Sequence, residues 1–184
     1  DNPDCDYTAK DITHDDAMCF SFTPVEHGVE LPRVTLRVPG RHNALNALGV
    51  TAAARELGLT GEEIARGLDA FAGAHRRFEL TATIEGVKLY HDYGHNPAEF
   101  HSVIPLADAV ARDHRLFVVC QPHTYSRTKL LSDQYMTCFT GADEVLITDI
   151  YAAREKDPGD IHATMLVDAL QKHGVPAVYT PDFD

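Results

Sequence analysis

Arg76, Arg77, His91, Asp92 and His95 crowd into one stretch of chain, and His123 and Arg127 follow in a second. The first stretch reads Arg76-Arg77-Phe78-Glu79 and then His91-Asp92-Tyr93-Gly94-His95-Asn96-Pro97. Arginines grip phosphates or carboxylates in a fork of two hydrogen bonds. An aspartate at a strand end can accept hydrogen bonds from a ribose or hold a cation. His95 lies just before an expected helix start, where anions are stabilised. The alternative is an Asx-type cap flanked by surface histidines. His91 and His95 also suggest a metal pair, but no third ligand stands at a motif spacing. In the second stretch, Gln121-Pro122-His123-Thr124-Tyr125-Ser126-Arg127, His123 and Arg127 present two cationic donors. The competing reading makes Arg127 one half of a surface ion pair.

A third group opens a helix. His42, Asn43 and Asn46 follow Pro39-Gly40, and the two asparagines, three apart, share a face. Their amides offer a donor and an acceptor each, as a purine edge requires, although helix-start chemistry explains the same residues. After the later strand at 145–150, Tyr151-Ala152-Ala153-Arg154-Glu155-Lys156-Asp157 reads either as a substrate-side loop or as a solvated charge run.

These residues need elements to hold them. Residues 1–38 carry β character, with apolar runs at 17–22 and 34–38, the second alternating. A helix is expected over 41–57, with Leu45, Leu48, Ala52 and Leu57 on its apolar face and Gly58 as its stop. Thr60 and Glu63 form a capping box that starts a second helix reaching Phe71. Gly73 marks the expected domain boundary. Strands at 78–84 and 87–91 flank the turn Glu85-Gly86. Asn96, Pro97 and Glu99 fit an N-cap, a first helical residue and a third, opening a helix to about residue 112. The apolar run at 116–120 predicts a parallel strand covered on both faces. Helices over about 128–139 and 161–173 alternate with strands at 145–150 and 175–179. That alternation predicts an α/β fold with a mostly parallel sheet.

Composition narrows the function. The 184 residues suffice for a sizeable core, and 44% are hydrophobic, as in an ordinary globular protein. A formal net charge of −12 argues against a general nucleic-acid or acidic-lipid binder, while leaving room for a local basic pocket. Cys5, Cys19, Cys120 and Cys138 form no CxxC pair, so neither a zinc knuckle nor a redox dithiol is suggested. Cys120 and Cys138 read as buried thiols, which fits a reducing cytoplasm. No apolar run approaches the roughly 18 residues that a membrane span needs. The opening Asp1-Asn2-Pro3-Asp4 and closing Pro181-Asp182-Phe183-Asp184 suggest a piece of a longer protein.

Five segments, in order and with compatible spacing, resemble the Mur ligases, the ATP-dependent amide ligases of peptidoglycan precursor synthesis. They are Pro39-Gly40-Arg41-His42-Asn43-Ala44-Leu45-Asn46-Ala47; Phe71-Ala72-Gly73 leading to Arg76-Arg77-Phe78-Glu79; Asp92-Tyr93-Gly94-His95-Asn96-Pro97-Ala98-Glu99; Gln121-Pro122-His123 with Tyr125 and Arg127-Thr128; and Asp149-Ile150-Tyr151-Ala152-Ala153. The Asp-Tyr-Gly-His and Gln-Pro-His segments resemble the alanine-adding branch. The resemblance implies that residues 1–73 are the α+β tail of a central nucleotide-binding domain. It implies that 74–184 are most of a C-terminal Rossmann-like domain, with Gly73 to His75 a hinge between them. It further implies ATP and Mg²⁺ as cofactors, with most metal ligands outside this chain and none assigned here. UDP-N-acetylmuramate and L-alanine are the implied substrates, joined through an acyl phosphate in the cytoplasm. By matching position, His42, Asn43 and Asn46 would lie on the adenine side of ATP, and Arg77 and Asp92 at its phosphates and ribose. His95 would sit near the reacting centre. His123 and Arg127 would face the amino acid, Arg127 gripping its carboxylate.

The match departs at Thr124, where relatives often carry Arg, and at Asn96, where a second His is frequent. No GxxxxGK[ST] phosphate loop occurs, so the chain alone is expected to have no ligase activity. Two other readings stay open: a Mur-type ligase that adds another amino acid or a recycled peptide, and a non-catalytic α/β nucleotide-binding module.

Overall fold

The computed structural model describes residues 5–181; the terminal stretches Asp1-Asn2-Pro3-Asp4 and Asp182-Phe183-Asp184 lie outside them. Contacts divide the chain into two compact units, one up to Asp92 and one from Tyr93 on.

In the first unit, β1 (Tyr7–His14), β2 (Cys19–Glu26), β3 (Val29–Glu30) and β4 (Val34–Pro39) form an antiparallel sheet. β2 pairs with all three others. His27 and Gly28, both at positive φ (47° and 83°), make the two-residue turn into β3. Alternation works as expected in β4, and β2 alternates as well: Phe20, Phe22, Val34 and Leu36 point inward. The run expected at 17–22 becomes a strand only from Cys19, and that strand extends to Glu26. The whole of β1 is too polar to announce itself, since five of its eight residues are exposed.

Two helices cover this sheet, α1 (Arg41–Glu56) and α2 (Gly61–Ala70). The α1 face differs from the expected one. Leu45 and Leu57 are exposed (67% and 80%), and the buried residues are Ala44, Ala47 and Thr51. Small side chains bring α1 close to the sheet, and Thr51 satisfies its buried hydroxyl on the Ala47 carbonyl at 2.8 Å. The capping box of α2 forms as expected: Glu63 N–H donates to Thr60 Oγ1 and Thr60 N–H to Glu63 Oε2, at 3.3 and 2.8 Å. β5 (Glu79–Ile84) and β6 (Val87–His91) make a separate antiparallel hairpin through Glu85 and Gly86, both at positive φ. This hairpin groups with the first unit.

In the second unit, β7 (Phe117–Cys120), β8 (Glu144–Ile147) and β9 (Ala177–Tyr179) form a parallel sheet in that order. α3 (Pro97–Ala111), α4 (Tyr125–Leu130), α5 (Ser132–Cys138) and α6 (Ala163–Lys172) complete the α/β alternation. The single helix expected over 128–139 starts earlier, at Tyr125, and is broken at Leu131. The core gathers Phe100, Tyr135, Phe139, Val145, Ile147 and Leu170.

Coverage of this sheet differs from expectation. Paired residues of parallel neighbours share a face, so Val118, Val145 and Ala177 line one side and Val119, Leu146 and Val178 the other. The first side packs into the core. On the second, Phe117, Val119 and Val178 are 51%, 59% and 45% exposed. An apolar strand reads the same from sequence whether one face or both are covered.

Candidate active site

The first unit holds five of the candidate residues. At the start of α1, Asn43 Nδ2 donates to the Pro39 carbonyl at 2.8 Å, and Asn46 Nδ2 reaches Asn43 Oδ1 at 3.4 Å. One donor of each amide is therefore committed to the helix start itself. Gly40, at φ 102°, N-caps α1 with no side-chain cap, which leaves Asn43 to tie the first turn back to β4. His42 is half-buried. Burial lowers its pKa, with the carboxylate of Asp92 acting against that shift. The two side chains are thus electrostatic neighbours although fifty residues separate them.

Asp92 also organises the turn before β5. Its Oδ2 accepts the Phe78 N–H at 2.8 Å. Glu79 closes the same turn, accepting the Arg76 N–H at 2.7 Å and meeting His75 Nδ1 at 2.9 Å. The Arg76 backbone donor, then His75, holds Glu79 below the usual carboxylate range. Arg76 and Phe78 both take positive φ (59° and 48°) and leave Arg77 between them at the exposed tip. Arg77 makes no ion pair among the described residues.

The second unit holds His95, His123 and Arg127. α3 starts as its sequence predicts: Asn96 Oδ1 accepts the Glu99 N–H at 3.1 Å, with Pro97 at the first turn. Glu99 Oε2 accepts from the His95 N–H at 2.8 Å and from Asn96 Nδ2 at 2.7 Å. The anion at this helix start is therefore the chain's own Glu99. His95 Nδ1 lies 3.0 Å from the Tyr93 carbonyl, which can only accept, so Nδ1 carries the hydrogen and Nε2 is the ring's acceptor when neutral.

Four rings then run in a row. Tyr93 meets His95 edge-on at 5.6 Å, His95 lies 5.2 Å from His123, and His123 lies 5.3 Å from Tyr151. Backbone fixes the far end, where Tyr151 N–H donates to the Pro122 carbonyl at 2.9 Å and bridges to His123. The row thus links the start of α3 to the loops after β7 and β8, and these two loops lie at the carboxyl ends of parallel strands. His123 Nδ1 is buried without a hydrogen-bond partner. Arg127, on the first turn of α4, is half-buried. The surface ion pair weighed as its alternative role does not form among the described residues.

Glu155 is the site feature absent from the sequence reading. Its Oε1 accepts Thr124 Oγ1 at 2.8 Å and also the Ser126 hydroxyl, and its Oε2 accepts the Ser126 N–H at 2.9 Å. These donors, Ser126 first, hold its carboxyl below the usual range. In sequence it sits inside a charge run, between the exposed Arg154 and Lys156, and only the tertiary contact singles it out.

The described residues contain no group of three or more His, Cys, Asp or Glu able to hold a metal ion. No helix among them is long and apolar enough to cross a membrane.

Comparison with known proteins agrees with this architecture. The family described as Mur ligase, glutamate ligase domain, matches residues 76–184, more than half of the chain. The UDP-N-acetylmuramate–L-alanine ligase of Caldanaerobacter subterraneus subsp. tengcongensis is 42% identical over 183 residues, covering 100% of this chain and 40% of that protein. The enzyme of the same name from Acetivibrio thermocellus is 40% identical over 178 residues, covering 97% of this chain and 38% of that protein. The chain thus spans about two fifths of the length of these curated relatives. Among solved structures, the UDP-N-acetylmuramate-alanine ligase of Thermotoga maritima superposes with a TM-score of 0.78 at 26% identity, covering 96% of this chain and 37% of that one. Folylpolyglutamate synthase of Mycobacterium tuberculosis, complexed with ADP, is alike in fold alone, with a TM-score of 0.69 at 18% identity over 97% of this chain and 38% of that one. On the extent of the family match, the chain belongs to the Mur ligase family.

Proposed function

We propose that this chain supplies the amino-acid side, and part of the nucleotide side, of an ATP-dependent ligase that joins L-alanine to UDP-N-acetylmuramate. The observation that carries this reading is the half-buried Arg127, without an ion pair among the described residues, one turn beyond a His123 that belongs to the row of rings. A guanidinium so placed is suited to the carboxylate of an incoming amino acid. The names of the relatives, at 40–42% identity, favour L-alanine as that amino acid.

ATP, when bound, supplies the phosphoryl group that activates the muramate carboxylate as an acyl phosphate. This chain's residues position and shield. Arg127 holds the amino acid's carboxylate and so aims its amine. His123, with His95 and Tyr151 on either side, forms an aromatic wall beside it. His95 offers Nε2 as a proton acceptor near the amine while the Tyr93 carbonyl fixes its tautomer. On the nucleotide side, Asp92 faces the ribose and Arg77 the phosphates, with His42, Asn43 and Asn46 toward the adenine. His42 stays neutral near pH 7, since burial lowers its pKa. Such groups act by orientation and electrostatics. Mg²⁺ would draw its ligands from residues beyond those described, and no step here is assigned to it. We place the hinge near Gly73, with residues 1–73 and 74–184 as the two domains, and the reaction in the cytoplasm. The start of the family match at residue 76 supports the first and the unpaired buried cysteines Cys120 and Cys138 the second.

The test is turnover by the full-length protein with UDP-N-acetylmuramate, ATP and Mg²⁺, offering L-alanine, glycine, L-serine or a tripeptide. The 184-residue chain, which lacks a glycine-rich phosphate loop, serves as the comparison expected to be inactive. Turnover with L-alanine above the rest is the expected result. Activity with the tripeptide alone would assign a recycling ligase, and ligation by the chain alone would contradict the division of labour.

A further inference from the structure

The loop after β8 begins at the rings and ends on α4, and one carboxylate joins the two. Tyr151 N–H is bonded to the Pro122 carbonyl, and Glu155 N–H to the Ala152 carbonyl at 3.0 Å, which folds the loop back on itself. Glu155 then reaches Thr124 and Ser126, the residues directly after His123 and directly before Arg127. Further along, Asp160 pairs with Lys129 on the exposed side of α4. The flanking Arg154 and Lys156 point to solvent, while Glu155 is half-buried. Of the charge run, one residue turns inward, and it turns onto the short segment between the two proposed amino-acid contacts.

We propose that Glu155 is a positioning residue that sets the direction of Arg127 and His123 by clamping the Thr124–Ser126 turn. Both its oxygens are engaged by three donors, two hydroxyls and one backbone N–H. A carboxylate so occupied is poorly disposed to touch substrate, and it acts through the turn. A carboxylate accepts from all three donors at once, whereas an amide of the same shape has a single acceptor oxygen and must face some of them with its own N–H groups. Thr124 gains a use here as well, since its hydroxyl is one third of the clamp. This inference rests on the ligase reading above for the identity of the substrate, but the clamp itself does not.

The test uses the full-length protein, wild type against Glu155→Gln, with two readouts. The first is steady-state kinetics. KM for L-alanine is expected to rise about tenfold, the equivalent of one charge-assisted hydrogen bond, while KM for ATP stays within about twofold. The second is amide hydrogen exchange at Ser126, expected to quicken about tenfold on loss of its carboxylate acceptor. A merely structural Glu155 would lower thermal stability and move both KM values together. That pattern, or an unchanged Ser126 exchange rate, overturns the proposal. Should Glu155→Gln fail to fold, Ser126→Ala removes one hydroxyl donor and spares the backbone bond. Its L-alanine KM is then expected to rise about threefold, a loss of under 1 kcal/mol, and an unchanged value overturns the proposal. If wild type ligates no single amino acid, the ligase reading fails, and Ser126 exchange alone still decides whether Glu155 holds the turn.

Discussion

Single residues carry this site unevenly, and His42 illustrates how. Its imidazole is half-buried beside Asp92, and burial outweighs the carboxylate, so its folded pKa lies below the ordinary value. The unfolded chain therefore binds this proton more readily than the folded one, and stability rises with pH across that window. As pH falls from about 6.5 through the lowered folded value, His42 is expected to cost the fold stability. Denaturation midpoints of wild type and His42→Gln, followed between pH 7 and 5, check this: the acid loss should shrink in the variant, and parallel curves would contradict it. At this scale sequence was informative where chemistry is local. Asn96, Pro97 and Glu99 could be assigned to a helix start because the cap bonds span three residues. Glu155 could not be found that way, because its meaning lies in contacts with residues about thirty positions away.

Elements followed their sequence signals when those signals were turns and caps. The Glu85-Gly86 turn and the capping box at Thr60 and Glu63 lie where short-range rules put them. Packing faces were less legible. On α1 Ala44 and Ala47, with the partly buried Leu48, face the sheet, while Leu45 points to solvent. The break between α4 and α5 at Leu131 has no Gly or Pro to announce it. The sheet of the second unit likewise hides its asymmetry, because Val119 and Val145 are equally apolar in sequence yet 59% and 0% exposed. That difference is measurable in the stability of this chain. Val145→Ala, which empties part of a closed core, is expected to cost about 2–3 kcal/mol. Val119→Thr on the open face is expected to change stability by no more than about 0.5 kcal/mol. Urea unfolding of the two variants checks the pair, and equal costs would mean that the exposed face is in fact covered.

For the molecule as a whole, the α/β alternation of the second unit was legible because strand and helix periods differ and the intervening breaks are sharp. The boundary was harder to read. Gly73 is a natural break, at φ 103°, yet contacts join the hairpin of β5 and β6 to what precedes it, while the family match begins at residue 76. What unites the account is the claim that Arg127, in the turn that His123 begins, receives the amino acid's carboxylate. The most direct measurement is KM for L-alanine in full-length Arg127→Ala, with KM for ATP measured alongside. Losing a bidentate charged contact is expected to cost about 1.5–3 kcal/mol, an increase in L-alanine KM of roughly ten- to two-hundredfold with KM for ATP nearly unmoved. An unchanged KM for L-alanine would contradict the account, because the amino acid's carboxylate would then have to be held elsewhere.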